Sequence, residues 1–270
     1  MVADDLWELF ERVVPPAPER PQGGGRRRHG DREVLAAIIF VATSGCTWNQ
    51  LPPGFGPSGV TAFRRFTEWT EARVWAKLHR LVLDELGAQG ELDWSRCAVD
   101  SVSVRALKGG GLTGSNPTDR GKNGSKIHLL VDRNGLPLPL GVSAANLHDS
   151  QALIPLVRGI PPIRSRRGPR RRRPAKLHGD KGYDYPHLRR WLSLRQISHR
   201  IARRGTESSK HLGRHRWVVE RTVSWLSGCR RLHRRYERSP EHFLAFTAIA
   251  ATLICHRRIA KWRGLCRVAG

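Results

Sequence analysis

The sequence predicts an α/β protein in which a mixed β-sheet with helices on both faces follows a small all-helical region. Three patterns carry this prediction. Apolar and polar residues alternate from Asp100 to Val104, as they do in a strand. Two apolar runs flank Asn134-Gly135, the dipeptide most typical of a tight hairpin turn. Apolar residues recur at helical spacing through the first 88 positions and again near the C-terminus.

Residues 1–88 are expected to form a helical domain that binds DNA. Helices are predicted over residues 5–14, 32–43, 58–69 and 71–86, with Pro15-Pro16 ending the first. The last two form a helix-turn-helix-like layout. On the first of these two helices, the face with Thr61, Arg64 and Arg65 is expected to be exposed. It lies opposite an apolar face formed by Val60, Phe63 and Phe66. Arg26 to Arg28 would add phosphate contacts. The alternative is a bundle that dimerises or braces the second domain.

Residues 91–260 are predicted to form the sheet domain. Strands are expected at Asp100, over 127–132 and 136–143, before Asp180 and over 198–203. Helices are expected from residue 149 and over 185–194, 214–232 and 243–257. An arginine-rich insertion, 164–174, should be solvated and flexible, and its residues Arg170, Arg171, Arg172 and Arg173 should contact the DNA backbone.

The glycine-rich stretch from Lys108 to Lys126 is the longest predicted loop. Ordering so long a loop costs conformational entropy, so such loops are usually functional or disordered. We expect a mobile loop that closes on DNA, with surface disorder as the alternative.

Three carboxylates stand out because of their positions. Asp100 lies on a predicted strand, and Asp180 follows a strand end between Gly179 and Gly182. Glu220 lies on the polar stripe of an otherwise apolar helix. Together they form an Asp-Asp-Glu set of hard oxygen ligands, which suits two magnesium ions roughly 3.5 to 4 Å apart on a phosphodiester. The alternative for Glu220 is a helix-surface ion pair with Arg216, four residues earlier.

Four blocks in this order resemble the DDE insertion-sequence transposases of the type called insertion sequence family five. The blocks are Ala98 to Arg105, Gly124 to Gly135, His178 to Tyr183 and Arg216 to Trp225. The resemblance covers nearly the whole chain. It implies an RNase H-like catalytic domain in which Asp100, Asp180 and Glu220 bind two magnesium ions, with manganese as an alternative.

The chain departs from this family near the glutamate. The family surrounds the glutamate with a tyrosine, an arginine and a lysine. Here Arg216 supplies the arginine, but Gly213 and Ser227 occupy the other two positions. On a helical wheel Arg231 falls on the stripe of Glu220, so we expect it to supply the missing cation.

Composition favours a nucleic-acid partner. The chain has 270 residues and a formal net charge of +25, with a sequence pI near 11.4. The longest apolar runs, Val34 to Ala42 and Phe243 to Cys255, are too short to span a bilayer, and no leader pattern precedes them. A cytoplasmic, nucleoid-associated protein is expected. Five scattered cysteines indicate free thiols, and a histidine-bound metal at His148 or His178 is not favoured.

The resulting prediction is a DNA transposase that cleaves insertion-sequence ends and transfers the strand into target DNA. Its partners would be double-stranded DNA, as terminal inverted repeats and target, and a second copy in a homodimer. The DNA contacts are assigned to Arg64, Arg65, Lys126, Lys181, Arg216, Arg231 and Arg170 to Arg173. An RNase H-like nuclease or a non-catalytic basic DNA-binding protein would share most of these features.

Overall fold

A computed structural model describes residues 2–17, 28–203, 205 and 209–268, without the side chains of 209–216, 262–263 and 265–268. In this part of the chain the helices are α1 (Asp4–Glu11), α2 (Asp31–Ser44), α3 (Gly59–Glu71), α4 (Val74–Gln89), α5 (Ser150–Arg158), α6 (Pro186–Leu194), α7 (Ser209–Ser227) and α8 (Pro240–Val268). The strands are β1 (Cys97–Arg105), β2 (Gly114–Ser115), β3 (Asn123–Asp132), β4 (Pro137–Ala144), β5 (Lys176–Gly179) and β6 (Ser198–Ile201).

The strands form one mixed sheet, as the sequence predicts. Their order is β4, β3, β1, β5, β6, and the short β2 also pairs with β3. Strands β1, β3 and β4 are antiparallel, whereas β5 and β6 run parallel to β1. The parallel strands require crossover connections, which α5 and α6 provide.

The predicted hairpin turn joins β3 to β4. Gly135 has a φ of 84°, a backbone conformation that would be strained in a residue with a side chain. Buried Asp132 accepts hydrogen bonds from the backbone N–H groups of Asp93, Asn134 and Leu136. Burial raises the pKa of Asp132 to about 7. This carboxylate therefore organises the turn.

The N-terminal helices share one core with α8. Helix α4 packs along α8, and the rings of Phe66 and Phe246 stack with centroids 4.6 Å apart. A single cluster of buried apolar side chains continues from α1 to the sheet and α8. The helical region and the sheet region are thus packed together, and the division into domains 1–88 and 91–260 remains a prediction.

Helix α3 exposes a different face from the one predicted. Arg65 is buried, forms an ion pair with Asp31 and stacks over Trp69 at 4.9 Å. Val60 and Phe63 are exposed instead. Arg64 is exposed, as predicted. The predicted exposure of Arg65 is wrong, because Asp31, which is far away in sequence, forms an ion pair with its guanidinium.

The glycine-rich loop is fixed over much of its length. The guanidinium of Arg235, a fully buried residue, donates to the carbonyls of Gly111 and Leu112 at 2.6 and 3.0 Å and to Ser125 Oγ at 2.6 Å. Gly110 lies so close to the backbone of Arg238 that a Cβ would clash at 2.2 Å. The predicted mobile loop is therefore a pinned segment between residues 107 and 115.

The arginine-rich segment is also anchored, against the expectation of flexibility. Arg170 donates to both oxygens of buried Asp84 on α4, at 2.8 and 2.9 Å. The backbones of Ile163 and Arg171 exchange two hydrogen bonds. At Gly87 a Cβ would meet the carbonyl oxygen of Arg164 at 2.0 Å, so glycine permits this close approach to α4.

Helix α7 ends at Ser227, five residues earlier than predicted. Arg231 then lies in a short 3-10 turn, where it is buried and donates to Glu237 at 2.7 Å and to the carbonyl of Cys46 at 2.9 Å. The expectation that Arg231 shares the stripe of Glu220 is therefore wrong.

Helix α8 is long and apolar enough over Pro240–Lys261 to cross a membrane by length and composition alone. In the protein 72% of that window is buried. Helix α8 is therefore a core helix of this fold.

Candidate active site

Two of the three predicted carboxylates lie on neighbouring parallel strands. The register of β1 and β5 pairs Cys97 with Leu177 and Ala98 with His178. Asp180 follows β5 in an extended conformation, with φ −82° and ψ −175°. Continuing the register by two residues puts Asp180 opposite Asp100, at the strand spacing of about 4.8 Å. The fold thus brings these two aspartates to the same point of the sheet.

Local backbone geometry orients both carboxylates. Asp100 Oδ1 accepts a hydrogen bond from the N–H of Ser101, and Asp180 Oδ1 accepts one from the N–H of Gly182, each at 2.8 Å. A Cβ on Gly182 would come within 2.9 Å of Asp180 Oδ1, so glycine leaves room for this bond. Both aspartates are half-buried, and Lys181 beside them is half-buried too.

Helix α7 lies across these strands and runs antiparallel to β1. Val218 lines a small crevice with Ala98 and His178. One turn later Thr222 donates to the carbonyl of Gly135, in the hairpin beyond the start of β1. The turns of α7 that precede Val218 therefore run toward the level of Asp100 and Asp180. Arg216 lies in those turns, and its side chain is outside the described residues.

Glu220 lies on the exposed side of α7. It is two residues from both Val218 and Thr222, which face the sheet and the hairpin, so it points about 200° away from each. Within the ranges that the structure describes, no group of three or more His, Cys, Asp or Glu side chains could hold a metal ion. The structure therefore gathers Asp100 and Asp180 but leaves Glu220 apart from them.

An exposed ladder of aromatic and cationic side chains was not identified from the sequence. The guanidinium of Arg221 lies 4.5 Å from the ring of Trp217 and 4.6 Å from that of Trp225. Arg221 also donates to the carbonyl of Asn134 at 2.7 Å. The two indoles are 49% and 36% exposed. Their spacing of four residues on either side of Arg221 was the available signal.

Eight of the ten predicted DNA-contact residues fall into two groups; Lys181 is half-buried, and the side chain of Arg216 lies outside the described residues. Those exposed on the surface are Arg64, Arg171, Arg172 and Arg173, together with Arg170, which is engaged by Asp84. Arg65 and Arg231 are buried, and Lys126, with a side chain only 13% exposed, pairs with Asp149 at 2.9 Å. Arg65, Lys126 and Arg231 are therefore engaged by carboxylate partners within the protein. The linker residues Arg26 and Arg27 lie outside the described residues.

The thiols of the described residues Cys46, Cys97, Cys229 and Cys255 are free, as predicted. Burial raises the pKa of Cys97 and of Cys255 well above the usual value for a thiol. Both groups therefore stay protonated and apolar in character. Cys266 is outside the described side chains.

A mixed sheet of this order, with two aspartates at matched positions of adjacent parallel strands, agrees with the RNase H-like domain that the family resemblance implies. Two family models match the chain: the family described as "Putative transposase of IS4/5 family" over residues 2–79, and the transposase DDE domain over residues 93–255. The chain belongs to the DDE transposases of IS4/5 type, and it is an enzyme that acts on DNA. This confirms the predicted family and the transposase function, and the structure confirms the predicted mixed α/β fold with an N-terminal helical region.

Three bacterial relatives illustrate the match. A Burkholderia cepacia protein described as "Putative transposase for insertion sequence element IS402" is 47% identical over 53% of this chain and 68% of its own length. A 16.2 kDa protein of the same insertion element is 42% identical over 43% of this chain and 81% of its own length. The transposase for insertion sequence element IS1106 of Neisseria meningitidis is 23% identical over 62% of this chain and 53% of its own length.

The family implies a divalent metal ion, and the two aspartates fit one. Carboxylate oxygens on adjacent strands are the ligand type that hard divalent cations prefer, and both are pre-oriented by backbone N–H groups. The exposed position of Glu220 does not fit a complete three-carboxylate centre. Of the three predicted ligands, the structure therefore brings together two.

Proposed function

We propose that this transposase cleaves DNA at insertion-sequence ends and joins the freed strand to target DNA at a site built on Asp100 and Asp180. The observation that carries the proposal is the matched position of these aspartates on β1 and β5. In the reaction water attacks the phosphodiester at an element end and frees a 3′-hydroxyl. That hydroxyl then attacks a phosphodiester of the target.

The protein supplies orientation and charge for this chemistry. Asp100 and Asp180, each fixed by a backbone N–H, would hold two magnesium ions, with manganese as an alternative. Bound divalent ions would supply Lewis-acid activation of the phosphodiester and of the attacking oxygen. No covalent enzyme intermediate is needed.

Glu220 would join this donor set through a movement of α7. Its present direction differs by about 200° from that of Val218, so rotation of the helix about its axis, not a side-chain rotamer change alone, would bring it to the sheet. DNA binding would supply the free energy for such a change, since a ligand shifts a conformational equilibrium by its differential affinity. Arg216 and Lys181 remain candidates for phosphate contact beside the carboxylates.

Duplex DNA would lie over the exposed cations. Exposed Arg64 on α3 and half-buried Arg221 on α7 are suited to phosphates. The exposed rings of Trp217 and Trp225 are suited to bases that lose their partners near a cleavage point. Bringing two element ends together requires two copies of the chain, so we propose a homodimer on DNA. A cytoplasmic, nucleoid-associated location follows from this function.

The decisive experiment incubates purified protein with labelled element-end duplex, supercoiled plasmid and magnesium. Joined products support transposition, cleavage without joining supports a nuclease, and binding alone supports a non-catalytic DNA-binding protein. Asp100→Asn and Asp180→Asn should each lower joining by at least about 1,000-fold, which corresponds to roughly 4 kcal/mol of activation free energy. Folding and DNA binding should persist, and Asp119→Asn is the matched control.

Glu220→Gln tests the third ligand separately. If α7 rotates, this change should abolish cleavage and joining while leaving binding intact, and Glu11→Gln should have no effect. Full activity of Glu220→Gln would remove Glu220 from the site and leave its surface ion pair with Arg216 as the better interpretation.

A further inference from the structure

Four arginines converge on a cleft that is separate from the aspartate site. Arg158, Arg172, Arg173 and Arg195 surround a cavity of about 540 Å³ whose floor is formed by Val157, Ile160 and Ile197. None of these lining residues is a carboxylate. We call this site the arginine cleft.

The arginine cleft lies at the opposite end of the sheet from the aspartates. Arg173 comes before β5 and Ile197 comes before β6, whereas Asp180 comes after β5. Arg173 and Asp180 are seven positions apart, so the backbone distance between them is at most about 23 Å at roughly 3.3 Å per residue. Strand β5 lies between the cleft arginines and the aspartates.

The cleft is held in place by its own contacts. The guanidinium of Arg195 stacks over Trp191 at 4.4 Å, and that of Arg158 lies 5.8 Å from the same ring. Arg173 donates to the carbonyl of Arg195 at 3.1 Å and to Gln196 Oε1 at 2.9 Å. Stacked guanidiniums lose less freedom on binding, because their planar donor groups are already oriented.

The arginines of the cleft differ from nearby Arg170 in the charge of the side chains that surround them. Arg170 is neutralised by Asp84 and fixes the segment to α4. Arg172 and Arg173 instead face two further arginines. A concave surface lined by one sign of charge concentrates counterions, and arginine is the side chain best suited to phosphate oxygens.

We propose that the arginine cleft binds the phosphate backbone of duplex DNA within about seven base pairs of the reacting phosphate. At about 3.4 Å per base pair, seven pairs span the roughly 23 Å that is the longest backbone distance between the two sites. This inference rests on the proposed function, because that function puts DNA at the aspartates. Element-end DNA and target DNA share this backbone chemistry, and the experiment separates them.

The test uses the full-length double variant Arg158→Gln/Arg195→Gln and the matched control Arg12→Gln/Arg80→Gln, which removes two exposed arginines elsewhere. Binding of a labelled 30-base-pair duplex is measured at increasing salt. The double variant should lower the slope of log affinity against log salt by about 2, since each phosphate contact contributes roughly 0.9. The control should keep the wild-type slope. A cooperative melting transition within a few degrees of the wild-type value shows that the double variant is folded.

Joining assays then identify which DNA occupies the cleft. If it holds element-end DNA, the end-duplex concentration for half-maximal joining should rise roughly tenfold; if it holds target DNA, the plasmid concentration should rise instead. The rate at saturating DNA should stay unchanged in either case. The inference would be overturned if the double variant kept both the wild-type salt slope and the wild-type DNA concentrations for half-maximal joining. This holds even if the wild-type protein joins DNA. A wild-type protein that neither cleaves nor joins would overturn the proposed function, whereas the salt slope would still report on the cleft.

Discussion

The buried arginines near the glycine loop and the exposed arginines of the arginine cleft have the same chemistry and opposite surroundings. Arg231 and Arg235 are buried and donate to a carboxylate, a hydroxyl and several carbonyls. Arg158 and Arg195 are exposed and stack on one indole. A high count of arginines therefore does not measure the DNA-binding surface, because part of that charge holds the fold together.

Arg235→Met should produce the largest loss of stability. It removes five hydrogen bonds that the buried guanidinium donates to the carbonyls of Gly111, Leu112, Glu237 and Arg238 and to Ser125 Oγ. We expect the free energy of unfolding to fall by about 3–5 kcal/mol in urea titrations. Arg238→Met, at an exposed neighbour, should change it by less than about 0.5 kcal/mol. Similar losses in both variants would contradict the structural role of Arg235.

Arg231→Met should destabilise by about 2–4 kcal/mol, because Glu237 would be left buried without its cation. Arg230→Met, one residue earlier and exposed, is the control and should be nearly neutral. Melting temperatures measured without DNA test this pair of variants. A stable Arg231→Met protein with impaired DNA binding would restore the role that the sequence suggested.

Arg170→Gln should cost about 1–2 kcal/mol of stability, because it weakens the contact with buried Asp84. Arg172→Gln should leave stability unchanged and reduce DNA affinity. Chemical unfolding and duplex titration of the two variants measure both properties. Equal effects of the two changes on stability would contradict the assignment of a structural role to Arg170 and a DNA-binding role to Arg172.

Acid should destabilise the fold through His79. Burial lowers the pKa of His79 to about 4, although the carbonyl of Pro137 favours the protonated form. As the pH falls, the unfolded chain binds a proton at His79 before the folded protein does. The stability that neutral His79 contributes is therefore fully present above about pH 6.5 and declines as the pH falls toward 4. Between pH 7 and pH 5 we expect a loss of roughly 1–2 kcal/mol.

His79→Gln separates this loss from other titrations. The variant cannot titrate at this position, so its stability should fall less than that of the wild type between pH 7 and pH 5. His128, whose pKa burial also lowers to about 4, is present in both proteins and contributes equally. A parallel decline in the two proteins would assign the acid sensitivity to other groups.

Only a small loss of stability is expected when an exposed arginine of the arginine cleft is removed. Arg195→Gln removes a cation that stacks on Trp191 at 4.4 Å. At an exposed site such a contact contributes roughly 0.5–1 kcal/mol. The melting temperature should therefore shift by only a few degrees. A loss as large as that of Arg231→Met would show that the arginine cleft has a structural role.

Local patterns in the sequence were sufficient to predict the antiparallel part of the sheet. The alternation at β1 and the Asn134-Gly135 turn act between neighbours, so the hairpin could be predicted without tertiary information. No local pattern predicts the parallel pairing of β1 with β5, because the two strands are far apart in the chain. The family resemblance supplied that pairing by indicating that Asp100 and Asp180 meet.

Errors in the sequence prediction arose where distant residues decide burial. Asp31 determines the position of Arg65, and Glu237 with the carbonyl of Cys46 determines that of Arg231. The direction of Glu220 is set by the contacts of Val218 and Thr222 with other elements. A helical wheel contains none of this information, because it describes only neighbours on one helix.

The shared core of the N-terminal helices and α8 also constrains the order in which the chain can fold during synthesis. Phe66 and Trp48 pack against Phe246, which leaves the ribosome about 180 residues after Phe66. Until then the first four helices lack one wall of their core. Native packing of the earliest part of the chain therefore waits for one of the last parts to be made.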